Sequence, residues 1–452
     1  MGTLAAEMIG KWMKEYEGKL LDTADFIFCH PEVSLKEKAS SRALAGCLEQ
    51  MGFSVQWELA GFETAFAAQW GSGHPVIGFL AEYDALPGLG QEVTATHAPT
   101  GEAGHGCGHN LLGTACAGAA GALKAWMEKE QIPGTIRVYG CPAEEIVVGK
   151  IRMNEAGVFD DLDVAVTWHP FDRNRVSYDI WQAQDIKNYR FYGTAAHASK
   201  HPELGRSALD AAELMNVGVN YLREHVADDV RMHYTYTNTD GPANIVPDHA
   251  ATNYFIRSSK WERTEDASSR VDDCARGAAI MTGTRVEIER VTKNKEMKVN
   301  RTLAETFYHA MEEVPVPEYT GEELEFAAKI SKEAGLANDG VYFTGLEPLE
   351  AEPVRLAIGT DVSDVSHTVP TVMLSAAAMC KARVSDNGCG FDMTEWKNRG
   401  AVRENHTNIG LTNIEQIISL EYGGEYGMEI TSEPERGTVV EYRLPAKGEE
   451  SK

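Results

Sequence analysis

The chain has 452 residues, too many for one ordinary domain, so two or three are expected. Hydrophobic residues make up 43% and charged residues 24%, the balance of a soluble globular protein and not of a disordered or membrane-spanning one. Asp plus Glu number 68 against 42 Lys plus Arg, and a formal charge of −26 argues against nucleic acid as a partner.

The first stretch, "MGTLAAEMIGKWMKEYEGKL", threads lysines and glutamates through its apolar positions. It predicts an amphipathic helix rather than a signal peptide. No stretch is long and apolar enough to cross a bilayer, so no membrane partner is expected. The cysteines (Cys29, Cys47, Cys107, Cys116, Cys141, Cys274, Cys380 and Cys389) are sparse and form no C-x-x-C pair. They read as reduced thiols of a cytoplasmic protein.

Residues 1–185 alternate strand and helix patterns. "VIGFLAEYD" (Val76–Asp84), "TIRVYGC" (Thr135–Cys141) and "VAVTW" (Val164–Trp168) predict buried strands. His109 to Glu128, rich in Leu and Ala, predicts a helix. Alternation of this kind points to an α/β domain with a mixed, largely parallel sheet. Near residue 185 the texture changes. "IKNYRFYGTAAHA" reads as a strand, "SALDAAELMNVGVNYLREHV" as a helix, and "RMHYTYTNTDG" and "ATNYFIRSS" as strands. "TEDASSRVDDCARGAAIMTG" is a second helix and "TRVEIERVTK" a last strand. The order βαββαβ matches a ferredoxin-like module, inserted over 186–294 into a domain made of 1–185 and 295–379. Helical patterns resume in "LAETFYHAMEEV" and "EELEFAAKISKEAG". A third texture occupies 380–452: a strand into a glycine turn ("KARVSDNGCGFD"), a helix ("NIGLTNIEQIISLEYGG") and a hairpin ("MEITSEPERGTVVEYRLP").

Four chemically loaded stretches fall at predicted strand ends or helix starts, where open α/β sheets bind ligands. "AEYDALPGLG" carries Asp84, "GHGCGHN" carries Cys107 and His109, "CPAEE" carries Glu144 and Glu145, and "TWHP" carries His169. Thiolate, imidazole and carboxylate are the donors that zinc and similar metals take. Gly108 permits a sharp turn, so that Cys107 and His109 can face one point. Adjacent carboxyls point different ways, so one can bind metal while its neighbour handles a water's proton. Taken singly, a His or Cys at a strand end is more often structural, and a Glu pair is usually a solvated surface. The concurrence of four such stretches in one domain favours a metal site.

The succession "AEYDALPG", "GHGCGHN", "PAEE", "WHP", "FYGTAAHAS", "GPANIVPD" resembles the dinuclear-metal aminoacylase/carboxypeptidase family, over about residues 5–378 and within its amidohydrolase branch that acts on aminobenzoyl-glutamate. The resemblance implies a metal-dependent hydrolase of the amide bond in a small N-acyl amino acid or dipeptide-like substrate. It implies two divalent ions, zinc or manganese, with Cys107, His109, Glu145 and His169 as ligands and Glu144 as general base. Asp84 would orient the metal site, and His197 would polarise the scissile carbonyl. Asn244 and Arg257, in the inserted lid, would hold a substrate carboxylate, and the lid would form a homodimer.

The resemblance breaks after Ala378. Family members continue into a loop with one more metal-binding His, followed by a closing helix and strand, whereas this chain reads "MCKARVSDNGCGFDMTEW". The stretch 380–452 instead resembles the end of a sensor histidine kinase ATP-binding domain, an α+β fragment of the Bergerat type. Asp386 would read adenine there, and Gly388 and Gly390 would give the turn. The second metal position would lack a ligand; His406, or less well His367 or His201, is the available substitute. An inactive dimeric hybrid and a nucleotide-binding regulator acting through the tail are the two alternatives to the hydrolase.

Overall fold

The computed structural model describes residues 2–239, 241–314, 319–333, 345–378, 427–433 and 437–443. In chain order it opens with α1 (Gly2–Cys29), α2 (Lys38–Gln50), β1 (Ser54–Trp57), β2 (Phe66–Ser72) and β3 (Val76–Glu82). There follow α3 (His109–Glu130), β4 (Gly134–Cys141), α4 (Gly149–Glu155), β5 (Val164–Phe171), β6 (Arg175–Ser177) and β7 (Asp179–Ile180). Next come β8 (Ala183–Tyr192), α5 (Ala208–Leu222), β9 (Arg231–Asn238), β10 (His249–Ser258), α6 (Trp261–Thr282) and β11 (Arg285–Asn294). The remaining elements are α7 (Arg301–Glu313), α8 (Gly321–Glu333), β12 (Val354–Arg355), α9 (Val362–Thr368), β13 (Thr371–Ala377), β14 (Gly427–Glu433) and β15 (Gly437–Arg443).

The larger sheet has the order β1-β2-β4-β3-β5-β13-β6. Its centre is parallel, β4 to β3, β3 to β5 and β5 to β13. Both margins are antiparallel, through β1, β2 and β6. The mixed, largely parallel sheet expected from the sequence is therefore present, with two margin strands, β1 and β2, that the sequence reading passed over. The central strands are buried on both faces, which is why their sequences run apolar without alternation. One face packs Leu44, Leu48, Leu112 and Ala117 from α2 and α3 against Phe66, Ile136 and Val138. The other packs Phe159, Val362 and Val365 against Leu80, Tyr139, Ala165 and Met373.

Between Ala183 and Asn294 the elements run β–α–β–β–α–β. They form a four-stranded antiparallel sheet in the order β11-β8-β10-β9. This sheet has its own core, in which Tyr189, Phe191, Tyr254 and Ile256 meet Ala211, Met215 and Val219 of α5 and Val271 and Ala275 of α6. The strand read through "GTAAHA" stops earlier, at Tyr192, and the segment around His197 is a loop.

β14 and β15 pair antiparallel from Gly427↔Arg443 to Glu433↔Gly437, the hairpin read from the sequence. Asp386, Gly388, Gly390 and His406 lie outside the described residues. No described helix is long and apolar enough to cross a membrane.

Candidate metal centre

Gly108 takes a left-handed conformation, φ 75° and ψ 25°, immediately before α3. That conformation suits glycine, and it turns the chain so that Cys107 and His109 address one point. Gly113, one turn on, has no room for a side chain, because a Cβ there would collide with the Glu82 carbonyl oxygen and Leu44. α3 is thereby pressed onto the end of β3. The strand-end turn that carries Glu144 and Glu145 is also tight. Ala143 and Val147 both have positive φ, 57° and 54°, an unfavourable state that surrounding contacts must hold. Glu37 accepts from the Ala143 N–H at 2.9 Å, and Asp84 Oδ2 accepts from the Glu145 N–H at 3.0 Å.

His109 is wholly buried and is the hub. Its Nδ1 donates to Asp84 Oδ1 at 2.9 Å, with the Asp84 carbonyl oxygen at 3.0 Å. Nε2 is then left to point into the site, where it has no hydrogen-bond partner. Glu82 Oε2 lies 3.2 Å from Nε2 and Glu144 Oε2 3.9 Å, while Glu145 Oε1 lies 3.8 Å from Nδ1. Cys107 Sγ is 3.2 Å from His169 Nε2, whose other nitrogen is committed to the Pro170 carbonyl at 2.8 Å.

Donor atoms of Cys107, His109 and His169 all lie within 4.8 Å of one another, and so do those of Glu82, His109 and Glu144. Two ligands on one tetrahedral ion, each about 2.0–2.3 Å from it, stand roughly 3.3–3.7 Å apart. The spacing fits such an ion. So does the chemistry of the donors, and so do two buried atoms with nothing to bond, His109 Nε2 and Glu145 Oε1. Asp84 holds the far nitrogen of His109, the arrangement that fixes tautomer and ring orientation in metal-binding histidines.

Burial disfavours charge on His109, but the carboxylates of Glu82 and Asp84 outweigh it and hold the imidazole well above its ordinary pKa. Burial would also raise Asp84; the His109 hydrogen bond and the Glu145 N–H reverse this and keep it ionised. Burial pushes the Cys107 thiol and the Glu145 carboxyl up. It pushes Glu144 up strongly, reinforced by the like charges of Glu82 and Asp361. A carboxyl raised in this way is suited to exchanging protons near neutral pH.

Of the residues singled out in the sequence, the structure gathers Cys107, His109, His169, Asp84, Glu144 and Glu145. His197 and Asn244 sit apart from this cluster, on exposed loops that meet each other through the Ala198 N–H to Asn244 carbonyl bond of 2.9 Å. Arg257 is half-buried on β10, its guanidinium 5.6 Å from the Phe255 ring centre and its Nε without a partner. His201 pairs with Glu203 at 3.3 Å, and His367 bonds the Glu296 carbonyl at 2.8 Å.

Sequence reasoning missed Glu82, Lys150, Thr360 and Asp361. Glu82 carried a usable signal, because two residues before Asp84 on a strand means the same face. Lys150 carried none, since "GKIRM" reads as an ordinary solvated helix turn.

The model of the family described as "Peptidase family M20/M25/M40" matches residues 78–371. A p-aminobenzoyl-glutamate hydrolase of Escherichia coli (strain K12) is 41% identical over 377 residues, covering 77% of this chain and 78% of that protein. An aminobenzoyl-glutamate utilization protein from Klebsiella pneumoniae shares the fold, with a TM-score of 0.60 at 18% identity over 81% of this chain and 93% of that one. A dinuclear metal binding peptidase of the M20 family from Bacillus subtilis does so with a TM-score of 0.54 at 18% identity, over 80% and 89%. The family match runs from within β3 to the first residue of β13, across the whole parallel centre of the large sheet, and the chain belongs to peptidase family M20/M25/M40.

Proposed function

We propose that this chain is a metal-dependent amidohydrolase that cleaves the amide of a small N-acyl amino acid of the aminobenzoyl-glutamate type. The observation that carries the reading is the meeting of Cys107, His109 and His169 around buried, unpartnered donor atoms, with Glu144 alongside. The 41% identical hydrolase from Escherichia coli supports the substrate class. Cys107, His109, Glu145 and His169 would hold two divalent ions, zinc or manganese. Bound there, the ions supply Lewis-acid polarisation of an amide carbonyl and acidify water. Glu144, beside His109, takes the proton from the attacking water and delivers it to the leaving amine.

His197 is read as the donor to the carbonyl oxygen as it gains charge, and Asn244 with Arg257 as the hold on the substrate carboxylate. The guanidinium of Arg257, half-buried with its Nε unpaired, supports the last assignment. Residues 186–294 are assigned as lid and dimerisation domain of a homodimer, and the sparse free thiols support a cytoplasmic location. The last metal-binding His expected of the family has no counterpart up to Ala378, so one ion is held more weakly than the other. Nothing favours the inactive-hybrid or nucleotide-binding alternatives.

The test is release of p-aminobenzoate from p-aminobenzoyl-glutamate by the full chain loaded with zinc or manganese. The expected result is turnover that a chelator abolishes and added metal restores. Turnover that is absent, or indifferent to the chelator, overturns the reading.

A further inference from the structure

Lys150 is a lysine with no exposed surface, and the hydrolytic reading gives it no task. Its Nζ lies 2.7 Å from Glu82 Oε1 and 2.5 Å from Asp361 Oδ1, and its backbone N–H donates to Asp361 Oδ2 at 2.8 Å. The Asp361 carboxylate is thus clamped at both oxygens by one residue. A stability argument does not account for this, because a buried ion pair is typically no more stabilising than well-packed apolar side chains of the same volume.

Both partners of Lys150 lead into the site. Glu82 gives Oε1 to Lys150 and presents Oε2 to His109 Nε2. Next to Asp361, the Thr360 hydroxyl donates to Glu144 Oε1 at 2.9 Å, so Oε2 is the oxygen that faces His109. Gly149, just before Lys150, has no room for a side chain, since a Cβ there would collide with the Pro142 carbonyl oxygen. The backbone at Lys150 is therefore locked to the turn that bears Glu144.

We propose that Lys150 is a positioning residue for the reaction: through Asp361 and Thr360 it orients the Glu144 carboxylate, and through Glu82 it lines the site beside His109. This rests on the hydrolytic reading given above. Lys150 itself touches no reacting atom. It fixes which Glu144 oxygen is free to move a proton, and it does so from a segment more than two hundred residues away in sequence.

The experiment compares kcat, KM and bound metal for p-aminobenzoyl-glutamate hydrolysis by the metal-loaded full chain and its variants. Thr360→Val removes only the hydroxyl, and loss of one hydrogen bond to a charged group predicts a kcat about tenfold lower or more. KM, metal content and melting temperature stay near wild type, and Thr360→Ser restores kcat. Lys150→Met lowers kcat at least as far. The double variant falls no further than Lys150→Met alone, because both changes break the same line of contacts. A merely structural lysine would lower melting temperature and folded yield without changing kcat per folded, metal-loaded site. Wild-type kcat in Thr360→Val, or losses that multiply in the double variant, overturn the positioning role and leave the hydrolytic reading intact. If Lys150→Met does not fold, Thr360→Val and Thr360→Ser decide alone. An inactive wild-type chain overturns both readings together.

Discussion

Around the four-stranded sheet, Asp185 is wholly enclosed and both its oxygens are answered. Arg290 reaches them with Nε at 2.8 Å and a terminal nitrogen at 2.9 Å, and the Ser268 hydroxyl adds a third bond at 2.7 Å. Nearby, Lys187 bonds both oxygens of Asp272, which also accepts from Tyr189. At the edge of the large sheet the buried charge is as dense, but it is left open: His109 Nε2 and Glu145 Oε1 have no partner. A buried polar atom without a bond costs about 1–3 kcal/mol, so a fold that keeps two of them in one place keeps them for something it binds. The difference separates charge that holds a fold together from charge that waits for a ligand.

That separation can be broken by substitution, and the largest effect belongs to the open cluster. Glu144→Ala is expected to lower kcat by about 10³-fold or more while metal content and melting temperature stay within error of wild type. Equal turnover in the variant, measured at saturating substrate, removes Glu144 from the chemistry. The closed cluster should behave the other way round. Arg290→Ala leaves Asp185 buried without its main partner, and a loss of about 3 kcal/mol in denaturant unfolding is expected, with bound metal unaffected. Stability within about 1 kcal/mol of wild type would mean that Asp185 finds another partner.

Asp84→Asn sharpens the comparison at its boundary. Asp84 bonds His109, Ser34 and the Glu145 N–H, so it belongs to the open cluster while being fully bonded itself. Metal affinity, titrated against a competing chelator, should fall about 10–100-fold with little change in unfolding midpoint of the metal-free protein. The smallest effect is a pH effect away from both clusters. Burial raises the Asp364 carboxyl from 3.8 to about 6, against the Lys295 N–H that bonds it at 2.9 Å. A carboxyl raised in the fold binds its proton more tightly there than in the unfolded chain. Its cost is therefore absent at low pH and grows as pH rises from about 4 to about 6. Asp364→Asn should stabilise the protein by about 1–2 kcal/mol at about pH 7.5 and by nothing at about pH 3.5. An equal effect at both pH values would show that the substitution acts through packing.

How much of this could be read from residues alone differs between the two regions. The apolar runs of β3, β4 and β5 and the helix from His109 follow from composition and period, because strands buried on both faces and a helix against them leave few alternatives. The ligand-bearing stretches were legible because they sit where those strands end. β1 and β2 were not, since "SVQW" and "FAAQWGS" are short and lie at the margin of the sheet. Lys150, Thr360 and Asp361 were illegible for another reason. Their meaning lies in a pairing across more than two hundred residues, and nothing local in "VGKIR" or "IGTDVSD" announces it. His197 and Asn244 stand out only through the family motif, because each is an exposed loop residue with no local peculiarity.

The large sheet is discontinuous in sequence: β5 ends at Phe171, and its outer neighbour β13 begins at Thr371. During synthesis the hydrophobic edge of β5 has no strand to pair with until roughly 200 more residues have been made, about 10–40 s at about 5–20 residues per second. The four-stranded region, complete once Asn294 has emerged, closes on its own core first. A newly made chain thus passes through an interval in which one half is finished and the other exposes an unpaired apolar edge, the state that chaperones capture and that aggregates at high expression.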